Sequence, residues 1–141
     1  LMDINNNKCV MVLDADLPLG LLANTSAILG FTMGKLLPEM AGPDVIDKSG
    51  KQHLGIIAVP IPILKGDKEI VRNIREKLYQ PEFSEVVVVD FFDAAQSCNH
   101  YDEFIEKMAG IEESELNYMG IALFGPKKLV NKLTGSMPLL R

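Results

Sequence analysis

The first apolar run in the chain is Cys9-Val10-Met11-Val12-Leu13, an unbroken stretch with two β-branched residues. It predicts a short strand over residues 9–14, buried on both faces. Asp14-Ala15-Asp16 breaks the run. Asp16 is then the expected helix N-cap, and Pro18 suits a first turn, where its missing N–H would be unpaired anyway. Residues 19–33 read as a helix. Gly20, Ala23, Ala27 and Gly30 recur at helical spacing and form one stripe of small side chains. Leu22, Ser26, Leu29 and Met33 form a second, mostly apolar face. Such a stripe permits close backbone approach, so it is expected to lie against the sheet.

Met40-Ala41-Gly42-Pro43 marks a loop. Val45-Ile46-Asp47 and His53-Leu54 flank Lys48-Ser49-Gly50-Lys51, which predicts a short hairpin. The apolar stretch over 54–63 predicts a strand over residues 55–60, ended or placed at an edge by Pro60 and Pro62. Ile70, Val71, Ile74 and Leu78 give an amphipathic helix with Asp67 as its N-cap. The Val-rich residues 85–91 predict a central strand, and residues 93–99 a polar loop. Tyr101, Phe104, Ile105 and Met108 mark a helical face stopped at Gly110. A last strand is expected over 118–124. Gly125-Pro126 then leads into a helix carrying Leu129, Val130 and Leu133, closed by Gly135. Strands alternating with helices define the α/β class.

Composition narrows this picture. With 141 residues, 48% hydrophobic and 23% charged, the chain fits a single α/β domain over residues 8–141. Residues 1–7 are polar and Asn-rich, which is expected of a frayed lead-in and not of a signal peptide. No run reaches the roughly 18 apolar residues of a membrane span. Two cysteines, Cys9 and Cys98, without a secretion signal point to reduced thiols and a cytoplasmic setting. The net charge of −5 and pI near 5.0 argue against a general nucleic-acid binder, whose affinity comes from neutralising phosphates.

Candidate chemistry collects after the Val-rich strand. Asp90, Asp93, Gln96, Ser97, Cys98 and His100 fall within eleven residues. Asp14 and Asp16 follow another strand. In open α/β sheets ligands bind at the carboxyl ends of strands, so these groups could share a polar rim. The simpler reading is loop solvation and capping, with Asn99 as the N-cap of the next helix. Cys98 and His100 could form a nucleophile and base only if a third group orients the histidine. Cys9, His53, Cys98 and His100 lack the paired spacing of a zinc site. Neither phosphate-binding glycine motif is present. Lys127, Lys128 and Lys132 give the last helix a basic face, which is ordinarily solvated.

The order of these elements, with Asp16-Leu17-Pro18-Leu19-Gly20, residues 90–96 and Gly125-Pro126 through Lys132-Leu133-Thr134-Gly135-Ser136, resembles type II peptidyl-tRNA hydrolases. The likeness runs from near Lys8 to Leu140. It is closer to a related branch, the family called domain of unknown function 2000. The resemblance implies a three-layer fold with a mixed four-stranded sheet flanked by helices, no metal or other cofactor, and a homodimer. The hydrolase motif Gly-Lys-x-Ala-Ala-Gln-x-x-His-Ala falls on residues 20–29. Gly20 and Ala23 match; lysine, glutamine and histidine are replaced by Leu21, Thr25 and Ile28. In the second motif, Asp-Ala-Gly-x-Thr-Gln, either Asp90 or Asp93 matches the aspartate and Gln96 the glutamine, while the threonine falls on Ala94 or Ala95. Leu21 cannot stabilise a developing oxyanion, often the largest catalytic contribution.

The expected function is therefore binding of a small molecule or peptide end at the strand-end rim. Asp14, Asn24, Asp90, Asp93, Gln96 and Lys132 would supply its polar lining. One alternative is an ester hydrolase, acting on peptidyl-tRNA or a related aminoacyl ester, with a site rebuilt from Asp93, Gln96 and His100. Another is a dimeric structural module without a ligand.

Overall fold

The computed structural model describes residues 5–141, so part of the expected lead-in over 1–7 lies outside the described residues. The apolar run forms β1 (Asn7–Asp14). Cys9, Met11 and Leu13 face one side of the sheet and Val10 and Val12 the other, and all five are buried. A strand with apolar residues at both parities needs cover on both faces. Helix α1 (Leu19–Leu36) covers the first face. Its start has no side-chain cap. Asp16, expected as the N-cap, lies two residues before the cap position at Pro18, and its N–H donates to Asp14 Oδ1 at 3.0 Å in the turn that precedes the helix.

Only the last residue of the small-residue stripe of α1 lies toward the sheet: a Cβ at half-buried Gly30 would sit 3.7 Å from Met11 Cε of β1. Gly20, Ala23 and Ala27 face solvent, while Thr25, Leu29 and Met33 are buried beneath. Larger apolar side chains remove more surface from water than alanine does, at about 25 cal/mol per Å². The close approach is provided by the sheet. A Cβ at Gly120 would sit 2.6 Å from Leu13 Cδ2 and 2.9 Å from Thr25 Cγ2.

The hairpin forms as expected, from β2 (Val45–Ile46) and β3 (Gln52–His53), with Gly50 in the left-handed region at φ 82°. The strand expected over 55–60 is displaced to β4 (Ile63–Gly66). Residues 55–58 are drawn back along the hairpin. The Gly42 N–H donates to Ile56 O and the Ala58 N–H to Met40 O, both at 2.8 Å. Pro60 and Pro62 have no N–H to offer a ladder. Pairing with β1 starts where Pro62 O accepts from the Met11 N–H at 2.9 Å.

Helix α2 (Lys68–Leu78) starts at Asp67, whose Oδ1 accepts from the Ile70 N–H at 2.8 Å. It buries Val71, Ile74 and Leu78 against the second face of the sheet. The Val-rich segment is β5 (Val87–Phe92). The expected loop after it contains a short helix, α3 (Asp93–Gln96), and then α4 (Tyr101–Ala109). His100, not Asn99, is the residue before α4, and neither caps it with its side chain. The Asn99 N–H donates to Glu103 instead, at 3.3 Å. β6 (Tyr118–Pro126) and α5 (Lys127–Thr134) complete the chain of elements.

The sheet order is β4-β1-β6-β5. β1 is parallel to β4 and antiparallel to β6, and β5 is antiparallel to β6. This is a mixed four-stranded sheet with α1 on one face and α2, α4 and α5 on the other. The two edges differ. Along β4 the chain's own final segment adds as an extra strand: Lys65 N–H donates to Pro138 O and Leu140 N–H to Ile63 O, each at 2.8 Å. Among the described residues no segment pairs with the outer edge of β5.

Candidate functional site

Leu13 of β1 and Phe91 of β5 both lie opposite Gly120 of β6. The carboxyl ends of β1 and β5 therefore lie at one end of the sheet, two strands and about 10 Å apart. Asp14 and Asp93 lie at this end. Asp14 is nearly buried, and its carboxylate orders the turn into α1. Asp93 accepts from Asn117 Nδ2 at 2.8 Å, which ties the end of β5 to the approach of β6. Asn24 and Gln96 are exposed, on α1 and α3. Lys132 belongs to the other end. Its helix follows Pro126, which pairs with Asn7 at the start of β1, and its ammonium pairs with Glu82.

Asp90 lies within β5, its carboxylate turned to the α2 face. There Arg75 Nε donates to Asp90 Oδ2 at 2.7 Å, and both side chains are largely buried. The Arg75 guanidinium also stacks 3.9 Å from the centre of the Tyr79 ring. This pairing satisfies the charge that burial would otherwise penalise.

A concavity of about 530 Å³ runs along the open edge of β5. Residues 88–92 line it from the strand; Ile28, Thr32 and Leu36 line it from α1; residues 98–101 and Phe104 line it from the α4 side. Of the expected site residues it brings together Asp90 and His100, with Cys98 beside them. Asp93, Gln96, Asp14, Asn24 and Lys132 are not among its lining residues. Sequence reasoning missed its walls. Thr32, Leu36, Tyr101 and Phe104 carry no chemical signature, and only the fold sets them along one strand. Ile28 had one signal, because it stands where the hydrolase motif has its histidine.

The cysteines differ in character. Cys9 is buried in β1, and burial pushes its thiol up to about 11, which keeps it protonated and inert. Cys98 is half-buried and donates to Ala94 O at 3.5 Å. Tyr118 is raised well above the usual phenol range, first by burial and then by its hydrogen-bonded neighbours, including Glu113 at 3.1 Å. Among the described residues, no three His, Cys, Asp or Glu side chains converge as metal ligands. No helix among them is long and apolar enough to cross a membrane.

A mixed four-stranded sheet, helices on both faces and a groove along one open edge define the protein class. The chain belongs to the DUF2000 family, described as protein of unknown function, whose model matches residues 7–141. Among solved structures it is similar to Atu0240, a protein of unknown function from Agrobacterium tumefaciens strain C58. The TM-score is 0.84 at 19% identity, over 95% of this chain and 97% of that one. At that identity the likeness is one of fold. No curated protein matches the chain.

Proposed function

We propose that this protein binds a small molecule or peptide end in the groove beside β5. The observation that carries the reading is the groove's composition. Hydrogen-bonding groups at Asn99, His100 and Cys98 sit over an apolar lining, in a concavity of about 530 Å³. Binding sites usually combine an apolar wall with a few polar groups that fix orientation. Of the six residues expected to line the strand-end rim, the groove keeps Asp90 and lacks Asp14, Asn24, Asp93, Gln96 and Lys132; His100, expected for the hydrolase alternative, joins it. A thermal-shift screen of small carboxylates, amides and blocked dipeptides tests it, run beside the groove variant Leu36→Glu. A compound that raises Tm of the native protein but not of the variant supports the reading. If no compound raises Tm, the reading fails.

The relation to type II peptidyl-tRNA hydrolases is part of this proposal as a relation of fold. Hydrolysis of peptidyl-tRNA or a related ester by Asp93, Gln96 and His100 is a second reading, favoured by His100 facing the groove. Asp93 is engaged by Asn117, which suits it to holding the loop more than to acting as a base. Absence of turnover by the native protein on peptidyl-tRNA would end that reading.

A homodimer and a cytoplasmic setting belong to the same proposal. The dimer's support is the solvent face of α1, where Leu19 is 82% and Phe31 79% exposed beside the small-residue stripe. Phe31→Glu should shift a dimer to monomer in light scattering.

A further inference from the structure

We infer that the groove is a strand-addition site. It takes a neutral, extended peptide of about five residues, which hydrogen-bonds to the outer edge of β5 as a further strand. The inference rests on the binding reading above and names the ligand class for that site.

Four observations converge. First, β5 is an edge strand whose outer backbone groups have no protein partner among the described residues. Exposed edges are ordinarily guarded by lysines, prolines or inward charges. β5 reads Val-Val-Val-Asp-Phe-Phe, and its single charge is tied to Arg75 on the α2 face. Its one irregularity lies between Phe91 and Phe92 and leaves the edge before it regular.

Second, the edge forms the floor of a groove. α1 walls it on one face and α4 on the other. Another sheet with its own covering helices would meet those walls, whereas a lone extended chain fits between them. This geometry favours a peptide over a second copy of the protein paired through β5. Residues 88–92 span roughly 17 Å, the length of a five-residue strand.

Third, the walls set the side-chain pattern. Successive residues of an added strand point to opposite faces. On the α1 side they meet Ile28, Thr32 and Leu36; on the other they meet Asn99, His100 and Tyr101. An alternating apolar and hydroxylic peptide satisfies both. With Asp90 neutralised by Arg75 and no cation lining the groove, an anionic ligand has no counter-charge there.

Fourth, the opposite edge is already covered in this manner. The irregular segment around Pro138 and Leu139 adds to β4 by backbone hydrogen bonds without a regular strand of its own. Main-chain pairing supplies affinity in such additions, and alternate side-chain contacts supply selectivity.

The probe is acetyl-Thr-Val-Thr-Val-Thr-amide, with two analogues, one N-methylated at the two Val amides and one at the first two Thr amides. In an added strand only alternate N–H groups face β5. One analogue should then bind at least about tenfold more weakly, and the other within about twofold of the parent. Amides on the outer edge of β5 should gain protection from hydrogen exchange when the parent peptide binds. Leu36→Glu, at an exposed wall position, should weaken all binding. Equal effects of the two methylation patterns would overturn strand addition. So would a β5-mediated dimer that the peptide fails to dissociate. If the parent peptide does not bind while a small compound still acts through the groove, strand addition falls and the binding reading stands. If neither binds, both fall.

Discussion

Two buried threonines offer a matched experiment on the cost of an unpaired hydroxyl. Thr25 of α1 is fully buried, and its Oγ1 has no hydrogen-bond partner among the described residues. Thr134 of α5 is also buried, but its hydroxyl donates to Val130 O at 2.8 Å. Valine has the shape of threonine with a methyl in place of the hydroxyl. Exchanging either residue brings the same apolar gain and a similar helix propensity. What differs is the hydroxyl each exchange removes. At Thr25 it is unpaired, and such a buried group costs about 1–3 kcal/mol. At Thr134 it makes a bond with a net worth of about 0.5–1.5 kcal/mol. Thr25→Val should therefore be the more stable variant by about 2 kcal/mol, and should itself exceed the native protein. For a chain of 141 residues that gap corresponds to about 7 °C in Tm. Urea unfolding followed by far-UV circular dichroism measures it, with unchanged m-values confirming comparable end states. Equal stabilities, or Thr134→Val the more stable, would refute the reasoning.

Other expectations follow from the same packing. Gly120→Ala should cost about 1–3 kcal/mol in urea unfolding, because its methyl would collide with Leu13 and Thr25 beneath α1. Arg75→Met leaves the Asp90 carboxylate without its partner. A double-mutant cycle with Asp90→Asn should return a coupling of about 1 kcal/mol, and none if the pair is idle. Burial raises the Cys9 thiol from 9.0 to about 11, so the unfolded chain loses this proton first as pH rises. The associated stability is fully present below about pH 9 and is lost as pH rises through about 11. Unfolding at pH 8 and pH 10 should therefore show a smaller alkaline loss in Cys9→Ala, by about 1 kcal/mol; an unchanged loss would assign it to other groups.

The sequence by itself determined the local elements wherever a backbone rule was decisive. An unbroken apolar run must be a doubly covered strand, and β1 is one. Asp67 caps α2 because a carboxylate three residues before an N–H reaches it without help from the rest of the fold. The turn at Gly50 and the alternation of strands with helices were legible for the same reason. What periodicity left open was which neighbour each face meets. The stripe of small residues on α1 marked a real face, but only the sheet, with Gly120 supplying the clearance, decided that Gly20, Ala23 and Ala27 point to solvent while Gly30 lies toward Met11. Pro60 and Pro62 signalled an interruption; whether the strand lay before or after it was decided by residues 40–42, which pair with the Ile56 carbonyl and the Ala58 N–H. The candidate site followed the same division. Asp90 and His100 stood out as polar groups after a Val-rich strand. The groove that joins them is made by Ile28, Leu36 and Phe104, from helices far apart in the chain and packed on opposite faces of the sheet. The open edge of β5 is likewise a property of strand order, because every strand carries edge groups and only the assembled sheet decides which remain unpaired.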